Sequence, residues 1–483
     1  MVNRINVMFV SYSDNLIHTV RQAVEKSNYR INPHVVVTDT TKLDFEVARR
    51  FSYRKCSLGM FQDFDSYNEI PLDSQLLEQL RNCESNCLKM LDRYDDTGGL
   101  LTYQQRINLY HNVVRYWYNY LIKHDVKASV FTTVPHVVSD YILYSVSKVL
   151  GINTLMFYRT NVVLNKNVSL YPLENIEDSM PGLKETYAKV NLEQEIPLDD
   201  RFSAYLDIRD NANKTFTGAT SRSLKNLSVK KIVSSIRYRV AYKVHWYKHG
   251  KTFTDTLANG LLRKKYFADN QNFKTVELLE HLDDKKYVYL PLHFQPECSS
   301  CPLGGDYVHQ DLMIDMLIKN LPEDWLVVVK KHVKAGGKDY ALSRLRPNDK
   351  VILADNSIKS LDLVKQASAI ATITGTAGFE GFLNHKPVFI FGSYFYMDAP
   401  NVFKVSDSRS LKHAINSVID DFKPTTLQEV KAFLYACQLN TSRAWVDNRY
   451  RSHCGISDAE NADTLSGLIL EKFNKWNLLD AGR

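Results

Sequence analysis

Long apolar runs are missing from this chain. None of its 483 residues falls in an uninterrupted hydrophobic stretch near the roughly 18 that a membrane-crossing helix needs. No secretory leader is expected either, because the apolar piece at the start, Ile5 to Val10, is short and reads as a first core strand. Cysteine is sparse. The seven (Cys56, Cys83, Cys87, Cys298, Cys301, Cys437, Cys454) are odd in number and scattered, which argues against a disulfide framework and for free thiols in a reducing cytoplasm. Cys298-Ser-Ser-Cys301 has redox or zinc spacing, but no second pair or close histidines complete a four-ligand set, so a loop with two incidental thiols is expected. Two phosphate signatures are also absent. No Gly-Lys-Ser/Thr follows the glycine-rich turn described below, and no complete G-x-G-x-x-G occurs there.

What is present describes an ordinary globular protein with 44% hydrophobic and 24% charged residues. Its length exceeds what one core serves and suggests two domains. The net charge of +7 is unevenly spread. From Arg222 to Lys265 there are twelve Lys or Arg against one acidic residue, Asp255, with Tyr238, Tyr242, Trp246, Tyr247 and Phe253 interleaved. Such a mixture suits an anionic membrane surface, where rings settle at headgroup level. A solvated helix or linker is the plainer alternative, and nucleic acid is not expected as a partner.

Two series of strand and helix signals flank this segment. In the first, Ile5–Val10 and His34–Val37 read as strands, and a long helical stretch runs from about Ser74 to His124, broken near Asp95–Gly99. Ala128–Thr132 is a strand, Pro135 opens a helix that ends at Gly151, and Ile152–Phe157 is a strand again, which makes a βαβ unit. Residues 164–220 read as polar and irregular. In the second series the strands are Tyr287–Leu292, Trp325–Lys330, Val351–Leu353, Ala369–Thr372 and Lys386–Phe391, with a helix over Tyr307–Leu321 and helices from Thr426 onward. The fold class is therefore α/β, two Rossmann-like halves facing a cleft.

Ligands of parallel sheets bind beyond the carboxyl ends of the strands, and three such ends in the second half carry chemistry. One is His293-Phe-Gln295-Pro-Glu297, one is Lys330-Lys331-His332, and one is Thr374-Gly375-Thr376-Ala377-Gly378-Phe-Glu380. The last is a strand, a tight glycine turn and a helix start, which is either a phosphate site or a packing device. On one sheet edge the three supply cations, imidazoles, amides and carboxylates for an anionic substrate.

The residues at 289–297 (Y-L-P-L-H-F-Q-P-E) and 302–310 (P-L-G-G-D-Y-V-H-Q) resemble the P-L-H-Y-Q-P-E…P-L-G-G…Q signature of bacterial capsule and surface-polysaccharide synthesis proteins. Val329-Lys-Lys-His-Val333 resembles that family's V-K-E-H-P, with departures at Lys331 and Val333. Residues 374–380, Lys386-Pro-Val388 and Phe391-Gly392 resemble its T-G-T-A-G-x-E…G-K-P-V…F-G. Weaker likeness extends to Pro135-His136, Asp140-Tyr141 and Leu150-Gly151-Ile152. The resemblance implies a GT-B glycosyltransferase fold. The expected parts are an acceptor domain over 1–215, a basic connector or membrane-surface segment over 216–270, a nucleotide-sugar domain over 271–440, and C-terminal helices over 441–483 packing back on the first domain.

Relatives in this group include capsule-linker β-Kdo transferases, which use CMP-activated Kdo. By that resemblance His332, assisted by Lys330, contacts the donor phosphate, the turn from Thr374 to Gly378 adds amide and hydroxyl donors, and Glu380 holds ribose or base. Gln295 joins this donor-binding set. A CMP leaving group carries one phosphate, so neither a metal nor another cofactor is expected, and no Asp-x-Asp pattern stands among the candidates. Glu297 is the first candidate for the carboxylate that activates the acceptor, Asp140 the second, with His293 and His136 as acid/base partners. The expected function is transfer of Kdo or a related ulosonic acid from a CMP-sugar to a glycan or glycolipid, by a cytoplasmic enzyme peripheral to the inner face of the membrane. The alternatives are a teichoic-acid-type polyol-phosphate transferase with a CDP-linked donor, and a non-catalytic polysaccharide-binding or export protein.

Overall fold

The computed structural model describes residues 4–93, 101–161, 168–209, 273–295, 297–332, 342, 345 and 348–479. The basic segment 222–265 and Val333 lie outside the described residues. Fourteen strands are described: β1 (Ile5–Tyr12), β2 (Ile31–Val37), β3 (Arg49–Ser52), β4 (Val126–Phe131), β5 (Asn153–Arg159), β6 (Ser169–Leu173), β7 (Lys274–Val276), β8 (Lys286–Pro291), β9 (Trp325–Lys330), β10 (Val351–Ala354), β11 (Ala369–Thr372), β12 (Val388–Ile390), β13 (Val402–Lys404) and β14 (Ser442–Arg443). They form two seven-stranded sheets, ordered β14-β6-β5-β4-β1-β2-β3 and β13-β12-β11-β8-β9-β10-β7. The second is parallel throughout, and the first is parallel from β5 to β3 with an antiparallel edge at β6 and β14. This is the expected α/β fold of two Rossmann-like halves.

The central strands are apolar along their length because helices cover both faces. Val7 to Val10 in β1 and Val327 to Val329 in β9 are at most 1% exposed. Long helices start where a side chain can satisfy the free amides. Thr102 with Gln105, Thr426 with Glu429 and Ser457 with Glu460 each close a reciprocal cap, opening Tyr103–Lys123, Leu427–Leu439 and Asp458–Lys475.

Several boundaries differ from those read in the sequence. The helix after β4 starts at Val138 rather than Pro135, because Val137 is still extended (φ −113°, ψ 144°). The helix expected from Tyr307 starts at Gln310, behind a short 3-10 turn at Gly305–Val308. The stretch read as irregular holds β6, whose Pro172 weakens the strand signal but is tolerated opposite Phe157 in an antiparallel edge pair. The C-terminal segment, read as all helical, includes β14, which extends the first sheet by pairing with β6. Asp458–Lys475 then packs on the helix Ile17–Lys26, so the chain's end returns to the first half as expected.

The carboxyl edges of the two sheets meet. Tyr158 at the end of β5 lies 5.2 Å, ring to ring, from Tyr394 beyond β12. The Tyr394 hydroxyl donates to Asn161 Oδ1 at 3.0 Å, and Ser393 Oγ donates to the Glu177 carbonyl. Beyond β8, the Cys301 thiol points at Asn86 Oδ1 (3.6 Å), whose amide in turn donates to the Tyr141 hydroxyl. No helix among the described residues is long and apolar enough to cross a membrane.

Candidate active site

In the second sheet β8 lies between β11 and β9. The three strand ends singled out in the sequence are therefore direct neighbours, and parallel pairing puts them on one edge. His293 follows β8 and is half-buried. Its Nε2 lies 3.1 Å from Thr372 Oγ1, and the same oxygen accepts the Gly375 amide at 3.0 Å. Gln310 fixes the His293 backbone from both sides, accepting its N–H at 2.6 Å and donating to its carbonyl at 3.0 Å. Burial, with the charge of nearby His332 second, pulls the His293 pKa down to about 4, so the ring is neutral at pH 7. His332, beyond β9, sits 5.7 Å from the Phe294 ring.

The turn after β11 is a close-packed device. A Cβ at Gly375 would stand 2.6 Å from Thr372 Oγ1 and 3.3 Å from His293 Nε2, and one at Gly378 would stand 2.5 Å from the Tyr396 hydroxyl. Tyr396 donates that hydroxyl to the Gly375 carbonyl at 2.5 Å. Thr374 is buried and donates to the Ser299 carbonyl at 2.9 Å. These contacts hold the N-terminus of the helix Thr376–Leu383 against the end of β8, where the first-turn amides, those of Thr376 and Ala377, have no intrahelical acceptor. Glu380 lies on this helix rather than at its solvated start. It is 7% exposed, its carboxyl has no hydrogen-bond or ion-pair partner among the described residues, and burial pushes its pKa up to about 7.

Other candidates are placed less directly. Lys330 is buried, and its ammonium donates to the Ile358 carbonyl, which ties the end of β9 to the segment before the helix Ser360–Gln366. Burial lowers its pKa, against the attraction of Asp355 and Asp362. Gln295 donates to the Val308 carbonyl and so fastens two motifs together. Glu297 is exposed, and its carbonyl receives the amides of Ser300 and Cys301 at 3.0 and 2.7 Å. Its backbone thus builds the turn, while its carboxylate lacks the enclosed setting of Glu380.

The first half contributes a cavity of about 80 Å³ at the carboxyl end of its sheet, lined by Ser11, Tyr53, residues 131–136 and Asp140. Asp140, in the first turn of the helix Val138–Val149, is 7% exposed. Its pKa is pushed up to about 7 by burial, against the lowering effect of the Ser11 hydroxyl, which donates to Oδ2 at 2.7 Å. His136 Nδ1 lies 2.7 Å from the Val134 carbonyl, so Nδ1 carries a proton toward that oxygen. Ser11 was not singled out from the sequence. Its φ of +68° coincides with the register shift between Val10 and Tyr12, and this strained residue turns its hydroxyl onto Asp140. Only its place directly after the apolar run Ile5–Val10 could have signalled it. Thr372 and Tyr396 were also missed, because each acts on a turn that only the fold brings near, and Gln310, the last residue of the 302–310 motif, was given no role there.

Residues 211–417 match the family model described as capsule polysaccharide biosynthesis protein. A search of curated proteins finds no match. Among solved structures, the chain is similar to the β-Kdo 2,4 transferase of Thermosulfurimonas dismutans KpsC (14% identity, 64% of this chain and 79% of that one, TM-score 0.30). It is similar to the β-Kdo 2,7 transferase of the same organism's KpsC (13%, 76% and 90%, 0.30) and to S. aureus MnaA with UDP (10%, 99% and 98%, 0.24). At these values the likeness carries no argument about this chain. The sequence match is the firmer finding, since it spans all three strand ends. The stretch that builds the β8, β9 and β11 edge therefore carries the pattern of the capsule polysaccharide biosynthesis family.

Proposed function

We propose that this chain is a glycosyltransferase of capsular or surface-polysaccharide biosynthesis that transfers Kdo or a related ulosonic acid from a CMP-activated donor to a glycan or glycolipid. The observation that carries the reading is the convergence of the β8, β9 and β11 ends, which sets His293, His332 and a helix N-terminus side by side. Such an edge suits one phosphate. The amides of Thr376 and Ala377, held by the packed turn, and the His332 imidazole would be its donors. Glu380, protonated near neutrality, can both donate to and accept from a ribose hydroxyl or a base. Lys330 supports this edge by holding the neighbouring loop.

In the chemical step the bond from the anomeric carbon to the phosphate oxygen breaks, and CMP leaves with the bonding electrons. The acceptor oxygen bonds to that carbon and gives up its proton. Asp140 suits this acceptance better than Glu297, because it is enclosed, faces a cavity, and is poised near neutral pH. His136 is its neighbour in the same cavity wall and the second acid/base candidate. Loss of a monophosphate leaving group needs no diphosphate-binding metal, so metal-independent turnover is part of the reading. The basic aromatic stretch 222–265 suits an anionic membrane face, where a lipid-linked acceptor is presented.

A donor panel with product analysis tests this. Release of CMP with formation of a glycoside is expected from a CMP-ulosonic acid, and His332→Ala and Asp140→Asn should each lower kcat/KM by about 100-fold or more. Turnover of UDP- or GDP-sugars alone would overturn the donor. A phosphodiester product would mark a polyol-phosphate transferase, and glycan binding without nucleotide binding a non-catalytic protein.

A further inference from the structure

The junction of the two halves holds a second cluster that the donor site does not use. Arg159 ends β5 and is half-buried, and among the described residues no carboxylate lies within ion-pair distance of its guanidinium. Nη1 donates a long hydrogen bond to the Thr160 carbonyl at 3.4 Å, and the guanidinium is also a hydrogen-bonding neighbour of the Tyr394 side chain. The Tyr450 ring stacks 4.6 Å from Arg159 Cζ and also lies 5.6 Å from Arg449 Cζ. The nearby carboxylate, Asp447, is committed to Arg449 at 2.8 and 2.5 Å. Arg449 is exposed and satisfied by Asp447, which leaves the half-buried Arg159 guanidinium without a carboxylate of its own among the described residues.

A second observation points the same way. Asn161, two residues on, is 3% exposed, and its Nδ2 is a buried donor with no acceptor. Its Oδ1 accepts from the Tyr394 hydroxyl at 3.0 Å. An unmade hydrogen bond at a buried donor is costly and calls for an acceptor. The cluster combines the end of β5, the segment beyond β12 and the C-terminal return, so it exists only when the two halves are joined.

We infer that Arg159, Asn161 and Tyr394 form a subsite for an anionic group, a carboxylate or a phosphate monoester, carried by the acceptor. Arginine is suited to it because its planar fork pairs with either anion in two parallel bonds. The inference rests on the transferase reading in naming the acceptor as ligand. The binding itself is independent of it.

Calorimetric titration of the full chain with Kdo, inorganic phosphate and neutral mannose is the test. Saturable binding of Kdo or of phosphate, and not of mannose, is expected, and the anion that binds decides between the two sources. Arg159→Gln should weaken that binding by about tenfold or more. Asn161→Asp should do the same. It removes the orphan donor while keeping the acceptor for Tyr394, so it carries the test if the arginine variant does not fold, as melting curves would reveal. No anion binding, wild-type anion affinity in both variants, or mannose binding as tight as the anion's would overturn the inference. Loss of CMP-sugar turnover with this binding intact would instead sink the donor assignment.

Discussion

Asp140 and Glu380 are buried carboxyls on opposite halves, and both are pushed up to about 7 by loss of water. Their linkage to stability has a definite sign. Below about pH 4 both are protonated, folded or unfolded, and their burial is inexpensive. As pH rises from about 4, the unfolded chain ionises them while the folded chain keeps the protons until about 7, so folding stability falls across that window. Each carboxyl contributes up to about 4 kcal/mol of this fall, at roughly 1.4 kcal/mol per pH unit. Urea unfolding at pH 5 and pH 8 should show wild type more stable at the lower pH, with Asp140→Asn and Glu380→Gln each shrinking the difference; an unchanged difference in both would refute the burial argument. Activity should move the other way. A base works ionised, so kcat/KM should rise through about pH 7 in wild type, and the residual activity of Asp140→Asn should lack that rise. Asp140 was visible in the sequence as the second carboxylate candidate, but its rank above Glu297 was not. That ranking depends on Ser11, 129 positions away, and on an enclosure no motif records.

The turn from Thr374 to Gly378 is where an element, rather than a residue, makes the site. Its glycines were read as permitting either ligand approach or close packing, and the packing half of that reading is literal. Thr372, His293 and Tyr396 fill the space that Cβ atoms would need. Gly378→Ala drives a methyl to within 2.5 Å of the Tyr396 hydroxyl and 2.7 Å of Thr372 Cγ2, an overpacking that costs about 1–3 kcal/mol. Gly375→Ala instead strikes the Thr372 hydroxyl that links the turn to His293. Calorimetry with CMP should find donor affinity reduced about tenfold or more in Gly375→Ala, since the amides and the imidazole lose their common anchor. Wild-type affinity in that variant would show that the turn serves packing alone. The convergence itself was legible because each motif follows a strong apolar strand. The strand order that makes them neighbours was not, since β8 sits between β11 and β9 although 77 residues separate the end of β8 from the start of β11. β6 stayed hidden behind its proline and β14 behind its length of two residues.

The halves of the molecule are joined by more than chain continuity. The C-terminal return places Trp445, Leu465, Ile469 and Phe473, each at most 1% exposed, in one core with Phe9, Val20, Val35 and Leu155 of the first half. Lys472 reaches Glu174 at 2.7 Å, and Lys26 reaches Asp463 at the same distance. These ion pairs are partly or largely exposed and contribute little. The apolar side chains are another matter: at about 1.5–3 kcal/mol for each of the four, their burial rivals the net stability of a typical domain, about 5–15 kcal/mol. The first half therefore cannot complete its core without residues supplied from the far end of the chain. Co-expression of two fragments, 1–209 and 273–483, tests this. The pair should copurify, because 442–479 fills the first half's core from the second fragment. Fragment 1–209 alone should aggregate, with the surface beneath Trp445 and Phe473 open to water. A second fragment cut to 273–441 keeps the contacts at Tyr394 and Cys301 but lacks that core, and it should rescue the solubility of 1–209 poorly or not at all. If the shortened fragment rescues as well as the full one, the junction beside Arg159 and Asn161 holds the halves together, and the C-terminal return only covers them.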